Sequence, residues 1–212
     1  MYSLKFNKTD DITDLIWSEL NERTLDLSID YAEIGLDAFL TDGLLKEIPI
    51  VQSIVSFYKI SQSLTNRHNT KKILTFFQEF HKSKIDPDKL KKFKENLNKG
   101  SKYREQVLET IILLNERFLQ IEKSKILARL LIAHVEERLS WDDFTNLSII
   151  LDTIHPLGFW FLNKMSEESD FCYHGRDEIG EALMFACGIG HRHGTRFGIN
   201  NLGQKFFEFG LK

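Results

Sequence analysis

The chain has 212 residues, of which 42% are hydrophobic and 28% charged, and its net charge is −3. These proportions fit a folded globular protein and exclude a disordered one, and the charge lacks the overall basic character of a nucleic-acid-binding domain. Two cysteines exclude a disulfide scaffold and fit a reducing cytoplasm; the opening MYSLKFNKTDD is too polar for a signal peptide, and no apolar run reaches the roughly 18 residues of a membrane span.

Helix breakers are unevenly placed. The only prolines are Pro49, Pro87 and Pro156, and nine of the 12 glycines fall between Gly158 and Gly210. This divides the chain into a helical bundle over residues 1–155 and a smaller C-terminal module over 156–212. Thr9 is placed to cap a first helix with Asp10 and Asp11 in its opening turn and Ile12, Leu15, Ile16 and Leu20 on its apolar face. A second helix is expected over Ser28–Glu47, and a third, the apolar Pro49–Tyr58, follows the break at Pro49. Ile73, Phe76, Phe77 and Phe80 share one face of the next. Ile85–Asp88 reads as a turn with Asp86 or Asp88 as cap, before a short helix carrying Leu90, Phe93 and Leu97 that ends near Gly100.

From Ser101, Val107, Ile111, Leu114, Phe118 and Ile121 alternate steps of four and three, as in a helix packed nearly antiparallel on others. Leu127, Leu130, Leu131 and Val135 continue the pattern, and His134 among them reads as a half-buried, hydrogen-bonded histidine. Ser140 and Asp143 form a capping box for a helix with Phe144, Leu147, Leu151 and Ile154. The total is six to eight helices in a bundle. Beyond Pro156, a helix with Phe159, Trp160, Leu162 and Met165 precedes a polar loop. Arg176–Cys187 reads as a helix with Ile179, Leu183 and Met184 inward, Thr195–Ile199 as a strand, and the residues after Asn200 as a turn and a last helix.

Charge is distributed in blocks: −7 over residues 1–58, +9 over 59–104 and −5 over 105–212. The positive block, with Lys71, Lys72, Lys91 and Lys92, either solvates two surface helices or attracts phosphate. In the tail, Arg192, His193 and Arg196 add local basic character.

No GxxxxGK[ST], HExxH, GxSxG or CxxC motif occurs, and Gly188-Ile-Gly190 lacks the third glycine of a dinucleotide loop. Neither catalysis nor a cofactor is therefore expected. Cys172, His174, Cys187, His191 and His193 are the best metal-ligand types, but their spacing matches no structural zinc pattern and Cys187 lies in an apolar run, so no metal is expected. Ile48–Phe57 is the least polar stretch; it reads as a bundle helix or as a sheltered membrane-active segment, too short to span a bilayer alone.

Two segments carry a resemblance. Asp42-Gly-Leu-Leu-Lys-Glu-Ile-Pro-Ile-Val51, followed by Tyr58-Lys59, resembles uncharacterised helical proteins of bacteria, their phages and mobile elements. The tail from Ile179 to Gly190 and from Arg196 to Phe206 is similar to the end of a winged-helix module, with Phe197, Ile199, Leu202 and Gly203 matching and Asn200 standing where Thr is usual. The resemblance implies a mainly α protein with a small C-terminal α+β, winged-helix-like module, in a mobile-element or phage-defence context, and brings no activity with it.

Three functional expectations result. The first is a non-catalytic protein-interaction or scaffold protein, homo-oligomeric or bound to another protein through Phe206, Phe207 and Phe209. The second is a DNA-binding regulator using Arg192, His193 and Arg196 with Lys71, Lys72, Lys91 and Lys92. The third is a latent membrane-active effector using Ile48–Phe57.

Overall fold

The computed structural model describes residues 8–22, 25–35, 47–58 and 63–212. The chain is mainly α, with a small antiparallel sheet near the C-terminus. It forms two compact units, residues 1–128 and 129–212. The compositional change at Pro156 lies inside the second unit.

In the first unit, α1 (Lys8–Asn21) buries Ile12, Ile16 and Leu20 as the periodicity predicts, but Thr9 lies within the helix rather than before it. Residues 28–35 form turns, not the start of a helix. The cause is local: the Asp26 carboxylate accepts from the amide and hydroxyl of Ser28, and Asp30 accepts from the Ala32 amide. Such short side chains offer the backbone an alternative to helix. Residues 36–46 of the expected second helix, and with them half of the Asp42–Val51 motif, fall outside the described residues. Pro49 opens α2 (Pro49–Tyr58), where its missing amide costs nothing. Ile50, Val51 and Ile54 are buried, and α2 packs on α1 and α3.

α3 (Leu64–Lys82) starts at Ser63, whose hydroxyl accepts from the Asn66 amide at 3.0 Å. Its sequence suggests one apolar face, yet it is buried all round: Lys72, Thr75 and Gln78 are as enclosed as Ile73, Phe76, Phe77 and Phe80. Lys72 and Gln78 are accommodated because they reach carbonyls of neighbouring segments, whereas the buried Thr75 hydroxyl finds no partner among the described residues. Lys71 Nζ donates to Ile34 O at 2.7 Å, and the Gln78 amide donates to Ile29 O. Asp86 caps α4 (Pro87–Lys99) by accepting from the Asp88 and Lys89 amides. α5 (Ser101–Arg117) buries Val107 and Ile111 but stops before Phe118, so the expected continuation through Ile121 is broken. α6 (Glu122–Val135) crosses the division between the units.

In the second unit, Ser140 caps α7 (Trp141–Thr153) by accepting from the Asp143 amide at 3.0 Å, and Asp143 in turn receives Lys205 Nζ at 2.9 Å. His134 is half-buried, with Nδ1 donating to Leu139 O at 3.0 Å. α8 (Pro156–Ser166) leads to β1 (Cys172–Tyr173), α9 (Glu178–Ala186), β2 (Gly190–His193), β3 (Arg196–Ile199) and α10 (Asn201–Phe206). The strands lie in the order β1-β3-β2, with Cys172 opposite Gly198 and His191 opposite Gly198 from the other side. Gly194, at φ +58°, makes the two-residue hairpin turn that joins β2 to β3. Asn200 caps α10: its side chain accepts from the Gly203 amide at 3.0 Å.

Candidate functional site

Successive residues of a strand face opposite sides of the sheet. Phe197 and Ile199 are buried on one side, Phe197 against Phe161 and Phe185. Cys172, His191, His193 and Arg196 therefore belong to the other side, where Gly198 forms the floor. A Cβ at Gly198 would lie 2.9 Å from His191 Nε2 and 3.4 Å from Cys172 Sγ, so this thiol and this imidazole flank the glycine. Among the described residues, no cluster of three His, Cys, Asp or Glu side chains is arranged to hold a metal ion. Cys187 is buried, with its thiol donating to Leu183 O at 3.2 Å. The helix ends before it, at Ala186, so Cys187 and His191 share no helix face.

The residues expected to contact nucleic acid divide sharply. His193 and Arg196 are exposed cross-strand partners on the hairpin. Lys91 and Lys92 are exposed on α4, in the other unit. Three others are engaged internally, which corrects the expectation for them. Lys71 is bonded to Ile34 O, as above. Lys72 is 1% exposed, and its Nζ donates to Glu116 O at 3.1 Å and Phe118 O at 2.6 Å, closing the end of α5. Arg192 forms a two-point pair with Glu181, Nε to Oε2 at 3.1 Å and Nη2 to Oε1 at 2.5 Å. Lys94, also in the basic block, donates to Asn21 O at 2.6 Å. The +9 block is thus partly an internal set of donors to carbonyls at helix ends and loops.

The Arg192–Glu181 pair gives a direct prediction. Glu181 is buried, and removing its partner strands a carboxylate away from water. Arg192→Ala is expected to lower the stability of the second unit by about 2–3 kcal/mol. Denaturant unfolding checks this, and a change below about 0.5 kcal/mol, the scale of ordinary surface substitutions, contradicts it.

For the expected interaction patch the structure corrects Phe206, while Phe207 and Phe209 are half-buried. Phe206 is fully buried and stacks on Phe159 with ring centres 6.4 Å apart. Phe207 lies edge-on to Phe171 at 5.5 Å, and Phe209 lies beneath the Arg138 guanidinium at 5.2 Å. These rings hold the C-terminus in place.

An exposed apolar surface occurs instead on α9. Ile179, expected to point inward, is 70% exposed; Ala182 and Ala186 are exposed and Leu183 is half-buried. The inward face carries Gly180, Glu181 and Met184. Gly180 sets this rotation, because α9 approaches α8 so closely that a Cβ there would lie 2.1 Å from the Phe161 ring. A glycine inside a helix costs about 1 kcal/mol relative to alanine, and this close approach explains its presence. Residues 179, 182, 183 and 186 follow the i, i+3, i+4, i+7 spacing and form one stripe. On α8, Leu157 and Trp160 are also exposed. Comparison with family models, curated proteins and solved structures finds no match to this chain.

Proposed function

We propose that this is a non-catalytic protein-interaction module that pairs with a second copy of itself through α9. The observation that carries the reading is the solvent-facing apolar stripe of Ile179, Ala182, Leu183 and Ala186 on a helix whose opposite side is already packed. Two-fold symmetry makes an interface of one patch against itself. In an antiparallel pairing centred between positions 182 and 183, Ile179 faces Ala186 and Leu183 faces Ala182. Large residues then meet small ones at every step, as close packing requires. The same pairing opposes the two helix dipoles favourably. Leu157 and Trp160 on the neighbouring helix α8 are exposed apolar residues as well.

Sedimentation velocity tests this. The intact chain is expected to sediment as a dimer, and Ile179→Glu and Ala182→Glu are expected to convert it to monomer with unchanged circular dichroism. Phe207→Ser is expected to leave the dimer intact. A chain that stays monomeric at all accessible concentrations, or a dimer indifferent to both glutamates, overturns the reading.

The membrane-active alternative receives less support. The apolar residues of α2 are covered by α1 and α3, and no helix among the described residues is long and apolar enough to cross a membrane.

A further inference from the structure

The first unit contains an open recess of about 450 Å³ between the opening turns of α3 and the end of α5, within the size range of small-molecule sites. Its polar lining comes from Thr65, His68, Asn69, Lys72, Glu116 and Arg117, and its apolar lining from Leu64, Phe118 and Leu119. The apolar residues are unusual in their exposure: Leu119 is 77% and Leu64 70% exposed.

The polar groups are incompletely used. Lys72 gives two of its three N–H groups to Glu116 O and Phe118 O, leaving one. His68 Nε2 donates to Leu119 O at 2.9 Å, which leaves Nδ1. Asn69 is only 8% exposed, and its carboxamide makes no hydrogen bond with any described residue. Glu116 in the same lining receives the Tyr58 hydroxyl at 3.1 Å.

We propose that this recess binds a small organic carboxylate with an apolar body. The carboxylate accepts from the remaining Lys72 N–H and from the Asn69 amide, and the body covers Leu64, Phe118 and Leu119. A buried ammonium favours an anion over a neutral head group because charge-assisted hydrogen bonds are the stronger ones. The site is separate from the α9 stripe and independent of self-association.

Octanoate is the probe, with octanamide and 1-octanol as neutral controls, added to the intact chain and followed by amide chemical shifts. Octanoate is expected to shift residues 65–72 and 116–119 and to bind at least tenfold more tightly than either control. Asn69→Leu keeps Lys72 in place and is expected to weaken binding about tenfold. Leu119→Ser, at an exposed position that folding does not depend on, is expected to weaken it severalfold. The proposal is overturned if octanoate produces no shifts, if octanamide or octanol binds as well, or if neither substitution changes the affinity.

Discussion

Phe77→Ala is expected to destabilise the first unit by about 3–5 kcal/mol, the range for truncating a buried aromatic in a core that cannot collapse. Phe77 has no solvent exposure, meets Phe76 edge-on at 5.4 Å and lies parallel to His81 at 6.1 Å. α3 is enclosed on every side, so the hole left by the ring cannot close by a surface side chain swinging in. A domain is stable by only about 5–15 kcal/mol, so the loss takes a large share of the total. Thermal and denaturant unfolding measure it, with Leu119→Ala as the exposed control expected within about 0.5 kcal/mol of the parent. A cost for Phe77→Ala near that of the control would mean that α3 is not the centre of its unit.

The second large effect is a maximum in stability at alkaline pH. Burial pushes the Lys72 amine down to about 8, against a smaller upward pull from Glu116. Between pH 8 and 10 the unfolded chain therefore holds a proton that the folded chain has released, and stability rises with pH. The slope is at most about 1.4 kcal/mol per pH unit, which gives on the order of 2 kcal/mol over this window. Above pH 10 the sign reverses. Burial pushes the Tyr103 hydroxyl up to about 12 and raises Tyr58 and Tyr31 further, with the Glu116 charge adding to Tyr58 and Asp26 to Tyr31. These hydroxyls keep their protons when folded and lose them when unfolded, so their stabilisation disappears as pH climbs past their ordinary value. Unfolding free energy measured from pH 7 to 11 is expected to peak near pH 10. Lys72→Met is expected to flatten the rising limb only, and Tyr58→Phe to soften the falling limb only. A profile flat between pH 8 and 10 in the parent chain would refute the buried-amine account.

Both effects arise in helices that periodicity and capping make plain, and much of the architecture is readable at that level. Three- and four-residue spacing of apolar side chains places the helices from Pro49 onward. Ser140 and Asp86 mark two helix starts by chemistry that needs only the neighbouring backbone. In the glycine-rich tail the polar–apolar alternation of Thr195–Ile199 announces β3, whereas β2, Gly190–His193, shows no such alternation and pairs with β3 across the positive-φ turn at Gly194 unannounced. Such rules are local, and a local rule acts whatever the rest of the chain does.

The site-forming features follow a different logic. Lys72 is as polar as Lys91, yet one is enclosed and the other exposed, because the carbonyls that receive Lys72 lie 44 and 46 residues away. No spacing rule reports a partner at that distance. The early end of α5 has the same origin: Lys72 and His68 take up carbonyls at its terminus, so the helix can stop in mid-pattern. On α9, periodicity alone allows either apolar face to turn inward. The choice falls to the close approach of Gly180 to Phe161, which leaves Ile179 in solvent. Helix starts are therefore written in neighbouring residues, whereas the end of α5, the burial of a charge and the facing of a two-sided helix depend on segments that meet only when the chain has folded.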